Sequence, residues 1–472
     1  MKRMNLLKSK LTKALVLGLT CLMIIMGIGC QRAVIQTGEI DKDATLEDLD
    51  ISGTIYFNDN PASGTDADMM AGRAIARAFQ EAFPDVKVVY SAPSVSDYPT
   101  RISSGDIGDV FWCDTADVYN YQRNHNALMP LDAYIKPMGI DMGDVYAGVI
   151  DGGKIGGKLY MAARNIGEHI LIYNDTMLRA EGIDFDNSEA VSWDEFKAIC
   201  RQLMKYDETG TRLVQTGASM KIWWHPVYQY FFRGWGGEWV DSKNHEIHIV
   251  DSNEVMQGIE ELVNACVEGF IFPEDISGSI SGSLKDLISQ IPDGTGNVSY
   301  VGFKTFGDLS WIGSYGNTYD QLGIDWDFCP FPALPHHTVS TGCTGYVVYN
   351  RTKNPNAAAA FALFFLTEAG QRAYHSTSGG NIPLLRSLSD ETFWRGLGNN
   401  WPDKNYGAFV MYPDITRPVS LATMMPTEIS TMFSSTVMQQ TFANILSGKT
   451  DIQNAFNSLQ TKANEKWKTL MS

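Results

Sequence analysis

The order of hydrophobic and polar residues predicts alternating strands and helices along the chain. The run GTIYF at 53–57 is short and rich in strand-forming residues, and 86–90 and 109–112 have the same character. Between the first two runs, residues 66–83 carry apolar side chains at helical spacing, and Pro84 ends that helix. Strand, helix and strand at these lengths predict βαβ units, a mostly parallel sheet and an α/β fold.

The second half of the chain continues this alternation. Ser192 with Glu195 three residues later is the sequence of a capping box, in which each side chain satisfies a backbone N–H of the other residue. Asp251 with Glu254 predicts a second box before another apolar stripe. Residues 450–467 carry apolar side chains on one helical face and predict a final helix.

The first 29 residues predict an export signal. Five basic residues precede an almost wholly apolar stretch at 14–28, which has the length of a signal peptide and is short for a membrane span. Gly29-Cys30 resembles a bacterial lipoprotein cleavage site, with Cys30 as the lipidated residue, although Gly27 stands where a leucine is usual. An ordinary signal peptide and an uncleaved anchor helix are the alternatives. The polar residues 30–50 are expected to form a flexible tether.

Charge and cysteine content exclude several classes of partner. The formal charge is −17, and removal of residues 1–29 leaves 32 basic residues against 54 acidic ones, a charge of −22. Such a balance argues against nucleic acid and against electrostatic adhesion to anionic lipid. The cysteines after Cys30 are odd in number and contain no CxxC pair, which predicts buried thiols and neither disulfides nor a zinc site. They are Cys113, Cys200, Cys266, Cys329 and Cys343.

Three segments together resemble a known family. In 158–203 an apolar strand, ILIY, runs into Asn174-Asp175, and the helix start Ser-Trp-Asp-Glu follows at 192–195. The stretch FCPFPALP lies at 328–335, and NPNAAAAFALFFLTEAG lies at 354–370. These segments, in this order, resemble the extracellular solute-binding proteins of ABC importers, family 1, the group that includes the maltose-binding protein. The resemblance covers most of the chain after the signal.

This resemblance implies an α/β, two-lobed periplasmic-binding-protein-like fold, with a ligand cleft between lobes joined by hinge crossings. Lobe 1 is expected to comprise 51–163 plus 336–382, and lobe 2 is expected to comprise 164–335 plus 383–472. The chain would cross between the lobes near 328–335 and again near 381–383. Ligand capture by hinge closure is then expected, and catalysis is not.

Aromatic and charged residues interleaved in loops suit a sugar, because aromatic faces match its C–H face and polar groups match its hydroxyls. The family's sugar-stacking tryptophan corresponds to Trp112, the aromatic residue before its "W-P-L" corresponds to Trp223, and a carboxylate near its "YN" corresponds to Glu168. The other predicted ligand-binding residues are Asn58, Asp59, Asp114, Arg164, Asn165, Trp224, Phe303 and Trp311. Any single tryptophan among them is more often a packing residue than a ligand platform.

The expected protein is therefore a monomeric, lipid-anchored receptor on the outer face of the cytoplasmic membrane. It would deliver a mono- or oligosaccharide to the permease subunits of an ABC importer, without a cofactor, a metal or nucleic acid. No GxSxG, HExxH or GxxxxGK[ST] motif supports catalysis. A secreted glycosidase, a receptor for a non-sugar solute such as a peptide, and a surface glycan-binding protein without a permease are the alternatives.

Overall fold

The described part of the chain begins close to the end of the predicted tether. The computed structural model describes residues 43–59, 66–276, 294–307, 309–342, 344–377, 382–421 and 424–471, together with residue 40. The predicted signal peptide, the predicted lipidation residue Cys30, Cys343 and Asn381 lie outside the described residues. In the described part, no helix has the length and apolar character needed to cross a membrane.

The first large sheet has five strands in the order β2-β1-β3-β17-β6. They are β1 (Gly53–Asn58), β2 (Val86–Ser91), β3 (Val110–Asp114), β6 (Met161–Ala163) and β17 (Thr344–Val348). β1 pairs in parallel with β2 and β3, whereas β17 is antiparallel to β3 and β6. The three runs predicted as strands at 53–57, 86–90 and 109–112 are β1, β2 and β3.

The second large sheet has the order β13-β10-β14-β8-β15, and β9 pairs with β10. Its strands are β8 (Ile170–Asn174), β9 (Lys205–Tyr206), β10 (Leu213–Met220), β13 (Ile271–Pro273), β14 (Val301–Phe306) and β15 (Trp326–Pro330). β10 is parallel to β13 and β14, and β8 is antiparallel to β14 and β15.

The prediction of a mostly parallel sheet is confirmed by strand direction, with one exception in each five-strand order: β17 in the first sheet and β8 in the second run against the other four strands. β8 follows β6 of the first sheet along the chain, and β17 follows β15 of the second. A strand that arrives from the other sheet enters at the end where the parallel strands finish, so it runs against them. The reversed direction of β8 and β17 follows from these crossings.

Helices pack on both sheets. The α-helices are α1 (Asp66–Ala82), α2 (Tyr98–Ser104), α3 (Thr115–His125), α4 (Asp132–Ile135), α5 (Ala147–Asp151), α6 (Asp175–Ala180), α7 (Trp193–Leu203), α8 (His225–Arg233), α9 (Asn253–Glu268), α10 (Ile312–Leu322), α11 (Pro355–Phe364), α12 (Glu368–His375), α13 (Thr427–Ser430), α14 (Ser435–Leu446) and α15 (Ile452–Met471). Turns of 3₁₀-helix lie at Leu46–Asp48, Val95–Asp97, Gly294–Ser299, Leu309–Trp311, Arg386–Leu388, Phe393–Asn400, Tyr406–Val410, Pro413–Ile415 and Thr431–Phe433.

The two predicted capping boxes have different outcomes. Ser192 caps α7, because its hydroxyl accepts a hydrogen bond from the backbone N–H of Glu195 at 3.2 Å. At α9 the cap is Ser252, whose hydroxyl accepts from the N–H of Val255 at 3.3 Å. The box predicted from Asp251 is therefore misplaced by one residue. Ser252 has the extended backbone (φ −107°, ψ 115°) that an N-cap adopts directly before the first helical residue.

A third, smaller sheet joins the two large ones, and we call it the hinge sheet. It consists of β7 (Gly167–Glu168), β16 (Val339–Gly342) and β18 (Thr416–Pro418) in the order β18-β16-β7. β7 lies between β6 and β8 in the chain, and β16 lies between β15 and β17. Both direct connections between the large sheets therefore pass through the hinge sheet. Two hairpins complete the strands: β4 (Lys154–Ile155) with β5 (Lys158–Leu159), and β11 (Val240–Asp241) with β12 (Glu246–Ile247).

Buried thiols are confirmed at the described cysteines. Cys113, Cys200, Cys266 and Cys329 are free and buried. Burial raises the pKa of the Cys266 thiol and of Cys200 and Cys329, so these groups remain neutral, unreactive parts of the core.

An ion pair lies inside the core beneath the second large sheet. The Lys304 ammonium on β14 contacts the Glu274 carboxylate, and the two side chains are 1% and 2% exposed. The Ser219 hydroxyl donates to the same carboxylate oxygen at 2.6 Å, and the Asn297 amide donates to Ser219 at 2.8 Å. Four buried polar side chains thus form one hydrogen-bonded chain in which the charge of Lys304 is paired, and pairing is the condition under which burial of a charge is tolerated.

Candidate functional site

A cavity of about 810 Å³ is lined by residues that follow strands of both large sheets and by residues of the hinge sheet region. Trp112 and Asp114 lie at the carboxyl end of β3, and Gly307 directly follows β14. Ligands of open α/β sheets bind outside the carboxyl ends of strands, so the topology and the cavity indicate the same site.

The end of β3 and the start of α3 form the acidic side of the cavity. Asp114 is the last residue of the strand and accepts a hydrogen bond from the Thr115 hydroxyl at 3.4 Å. Asp117 lies in the first turn of α3. Burial raises the pKa of Asp117 to about 6, and the charge of Asp114 adds to this effect, while a hydrogen bond with Asn120 opposes it. Repulsion between the two carboxylates thus disfavours the charged form of Asp117.

Arg164 and Asn165 connect β6 to the hinge sheet and line the same cavity. The Arg164 guanidinium donates to the Tyr374 hydroxyl at 2.7 Å and lies 5.6 Å from the centroid of that ring. Burial lowers the pKa of Arg164, but Tyr374, Tyr346 and Asp59 raise it by more, so the guanidinium stays charged. Asn165 is 8% exposed.

Aromatic rings form the side contributed by the second sheet. Trp224 stacks on Trp311 with centroids 6.1 Å apart and an angle of 25° between the rings. The ring of His169 meets the indole of Trp224 edge-on, with the ring centroids 4.7 Å apart. Gly307 allows this packing, because a Cβ atom there would lie 2.4 Å from Cη2 of Trp224 and 3.2 Å from Cη2 of Trp311. Two flat indoles therefore border the cavity.

The two histidines of the cavity are uncharged at neutral pH. Burial lowers the pKa of His169 to about 4, although a hydrogen bond with the Ser340 carbonyl opposes the shift. Burial also lowers the pKa of His225 to about 4. Both rings therefore act as neutral donors or acceptors, and neither supplies positive charge.

Hydroxyl groups from the last fifth of the chain line the remaining side. They belong to Ser420, Ser430, Thr431, Ser434 and Ser435. Near them, the Thr427 hydroxyl of α13 donates a hydrogen bond to the side chain of Asn120 on α3. This bond connects helices that pack with different sheets, so it links the two sides of the cavity.

Some buried polar atoms of lining residues have no hydrogen-bond partner in the part of the chain that the structure describes, and three of them bear on ligand binding. They are Nε1 of Trp112, Nε of Arg164 and Oδ1 of Asn165. A buried polar group without a partner costs about 1–3 kcal/mol. A polar ligand that reached these atoms would remove that cost.

The cavity brings together six of the residues predicted from sequence: Trp112, Asp114, Arg164, Asn165, Trp224 and Trp311. Asn58 and Asp59 are instead buried in the first lobe and do not belong to the lining. The Asn58 amide bonds Ser91 and the N–H of Gly108, each at 2.7 Å, and Asp59 accepts from the Tyr346 hydroxyl at 2.8 Å. Both polar groups therefore serve internal hydrogen bonds.

Trp223 and Phe303 are also directed elsewhere. The Trp223 indole donates to the backbone carbonyl of Glu274 at 3.0 Å, and Phe303 is fully buried in the core of the second sheet. Neither belongs to the lining. The backbone of Glu168 pairs with Thr341 in the hinge sheet, and its side chain lies outside the described residues.

Several lining residues were missed by sequence reasoning. Thr115 and Asp117 could have been found, because they directly follow a predicted strand end that already contained Trp112 and Asp114. His169 and His225 adjoin predicted residues but carry no motif. Ser434 and Ser435 have no signal in the sequence, because they reach the cavity only through the tertiary fold.

Asp117→Asn is expected to stabilise the protein at neutral pH. Because the folded-state pKa is raised above the ordinary value of 3.8, ionisation of Asp117 above about pH 6 disfavours the folded state. The gain over the wild type should therefore grow between about pH 4 and pH 6 and then level off, with a rise in Tm of about 1–3 °C. Thermal unfolding of the wild type and the variant from pH 4 to pH 8 measures the difference in Tm. A difference that is the same at every pH would contradict the raised pKa of Asp117.

Known proteins resemble this chain in both sequence and fold. The sequence profile described as bacterial extracellular solute-binding protein matches residues 63–372. The chain belongs to this family. Its members are receptors that bind small solutes and work with ABC permeases, so this chain is the solute-binding protein of an ABC importer.

Solved structures of similar fold confirm the two-lobed α/β architecture of this solute-binding protein. The sugar-binding protein MalE from Xanthomonas citri is 15% identical with a TM-score of 0.70, over 89% of this chain and 98% of that one. The cyclic α-maltosyl-1,6-maltose binding protein from Arthrobacter globiformis is 16% identical with a TM-score of 0.66, over 89% and 100%. UgpB from Mycobacterium tuberculosis, in complex with glycerophosphocholine, is 15% identical with a TM-score of 0.60, over 89% and 100%.

In the described residues, no group of three or more histidine, cysteine or acidic side chains is arranged to hold a metal ion.

Proposed function

We propose that this solute-binding protein captures a carbohydrate in the cavity and delivers it to its permease. The observation that carries the proposal is the stacked pair Trp224 and Trp311, which borders the same cavity as Asp114, Asn165 and a group of serine hydroxyls. Indole faces suit the C–H face of a sugar ring, and the polar groups suit its hydroxyls. Two of the similar proteins bind sugars by their names, which supports the same class.

Capture would proceed by rotation of the lobes about the hinge sheet. Contacts from both sides of the cavity would stabilise the closed form, since a ligand shifts such an equilibrium only by binding one form better than the other. The lobe boundaries expected from the sequence, 51–163 plus 336–382 and 164–335 plus 383–472, belong to this proposal.

Isothermal titration calorimetry against a panel of mono- and oligosaccharides tests the ligand class. A saccharide that binds with micromolar or tighter affinity supports the proposal. Binding of a peptide with no response to any saccharide would overturn it. Turnover of a glycan by the pure protein would favour a glycosidase. The described carboxylates of the cavity argue against that enzyme, because Asp114 and Asp117 belong to one segment and do not flank the cavity from two sides.

Gly307→Ala is expected to weaken sugar binding without unfolding the protein. The new methyl group would collide with the indole of Trp224, whose ring must move, while the backbone of residue 307 has no conformation that requires glycine. The loss in affinity should be about 3- to 10-fold. Calorimetry with the best sugar and a thermal melt measure the two effects. Gly296→Ala, where a Cβ meets no atom within 4 Å, is the matched control and should bind normally.

We also propose that the mature protein is a monomer tethered by a lipid on Cys30 to the outer face of the cytoplasmic membrane. The basic and apolar start of the chain and Gly29-Cys30 support export and lipidation, and the charge of −22 favours a self-repelling, monomeric surface. Radiolabelled palmitate should be incorporated into the wild type and lost in Cys30→Ser. Incorporation that persists in the variant would contradict the anchor.

A further inference from the structure

The acidic side of the cavity carries more negative charge than its described lining residues offset. Asp114 and Asp117 both line the cavity. Among the described lining residues, Arg164 is the only lysine or arginine. Behind Arg164, the Asp59 carboxylate is 1% exposed and interacts with that guanidinium. His169 and His225 add no charge at neutral pH. The net charge of these six groups is therefore negative.

Helix capping does not account for Asp117. An acidic residue in the first turn of a helix is stabilised by the helix dipole, and a carboxylate so held has a lowered pKa. Asp194 lies in the first turn of α7, where its side chain is 91% exposed and pairs with Lys197 at 3.0 Å. Asp117 also lies in the first turn of its helix, α3, but it is partly buried near the charge of Asp114, and its pKa is raised. Its location costs free energy in the unliganded protein.

Two residues that line the same cavity as these carboxylates also need a polar partner. Trp112 and Asn165 are each 8% exposed and line the same cavity. The indole N–H of Trp112 lacks an acceptor, and Oδ1 of Asn165 lacks a donor, among the described residues. A ligand that satisfies this side must offer hydrogen-bond donors to the carboxylates and to Asn165, and an acceptor to Trp112. Hydroxyl groups together with an amine meet both needs.

We propose that the solute is a saccharide that carries a protonated amine, a deepening that rests on the carbohydrate function proposed above. Its ammonium group would lie against Asp114 and Asp117, and its ring would lie on Trp224 and Trp311. An ammonium forms charge-assisted hydrogen bonds with carboxylates and relieves the repulsion between them. Near an indole face it gains a further cation–π attraction.

Calorimetry at pH 7.5 with matched pairs of sugars tests the proposal. The pairs are glucose with glucosamine, galactose with galactosamine, and cello-oligosaccharides with chitosan oligosaccharides, which exchange a hydroxyl for an amine; maltodextrins and spermidine complete the panel. The amine-bearing member of at least one pair should bind at least tenfold more tightly than its neutral counterpart. Asp117→Asn should remove most of that preference, and Asp194→Asn, the first-turn control in α7, should retain it.

The possible outcomes separate the two proposals. If a neutral sugar or a maltodextrin binds as tightly as any amine-bearing sugar, the carbohydrate function stands and the amine proposal fails. If spermidine binds while every saccharide fails, a cationic solute remains and the carbohydrate function is overturned. If none of these compounds binds, both proposals fail. If the preference for the amine is present but Asp117→Asn leaves it unchanged, the assigned carboxylate is wrong and the proposal is overturned.

Discussion

Glu274→Ala is expected to lower the free energy of unfolding by about 3–5 kcal/mol, the usual cost of leaving a buried charge without its partner. Lys304 is 1% exposed, and burial lowers the pKa of its ammonium while the Glu274 carboxylate opposes that shift. In Glu274→Ala the carboxylate that favours the charged form of Lys304 is absent. The Ser219 hydroxyl also loses its hydrogen-bond acceptor. Denaturant unfolding followed by circular dichroism measures the loss.

A double variant is the control for this prediction. In Glu274→Leu with Lys304→Met no charge remains in the core, so the loss should be much smaller than for Glu274→Ala, as for other buried ion pairs replaced by apolar groups. The single variant should also regain stability as the pH rises toward the ordinary lysine value of 10.5, because a buried lysine with a lowered pKa folds best when neutral. If Glu274→Ala and the double variant lost the same free energy of unfolding, the unpaired charge of Lys304 would not be the cause of the loss.

Trp224→Ala is expected to weaken binding of the proposed sugar by about 1–3 kcal/mol, or roughly 5- to 150-fold in Kd. The indole stacks on Trp311 and borders the cavity, so its removal takes away apolar area that would cover the sugar ring. Calorimetry with the best ligand of the panel measures the change, and quenching of intrinsic fluorescence provides a second readout.

Trp401→Ala is the matched control for Trp224→Ala. Trp401 is also a partly exposed tryptophan, but it packs on Trp326 and donates to Asp320 at 2.9 Å, away from the cavity lining. The Trp401→Ala variant should therefore lower the stability of the protein and leave its affinity for the sugar unchanged. Trp223→Ala decides between the prediction from sequence and the location seen in the structure, where its indole bonds the Glu274 carbonyl. If Trp401→Ala weakened sugar binding as much as Trp224→Ala, the loss of affinity in both variants would come from a damaged fold, and Trp224 would have no direct contact with the sugar.

The regular elements could be predicted because their signals are local. Periodicity, with Pro84 as the stop signal, located α1 to within one residue, and short apolar runs located β1, β2 and β3. The reversed direction of β8 and β17 could not be predicted in the same way, since it depends on where the chain crosses between sheets. The capping box predicted at Asp251 was wrong because Ser252, one residue later, is also a good N-cap residue. Its hydroxyl accepts the hydrogen bond from the first turn of α9.

The candidate site was predictable where one strand end supplies several groups, as at Trp112 and Asp114. Trp223 and Trp224 illustrate the limit. They are neighbours in a turn before α8, and without a helical or strand repeat there the sequence gives no rule for which indole faces the cavity. Ser434 and Ser435 illustrate a second limit, because more than 300 residues of chain separate them from Trp112.

The hinge sheet has a consequence for how closure can be observed. β16 is hydrogen-bonded to β7 on one side and to β18 on the other, so the connections cannot bend independently. In the proposed closure the two connections are therefore expected to move together, so an interlobe distance should follow the motion. Since Cys113, Cys200, Cys266 and Cys329 are buried, maleimide dyes on an engineered cysteine pair should leave these four thiols unlabelled. Single-molecule energy transfer between such dyes should resolve two states whose populations shift with solute.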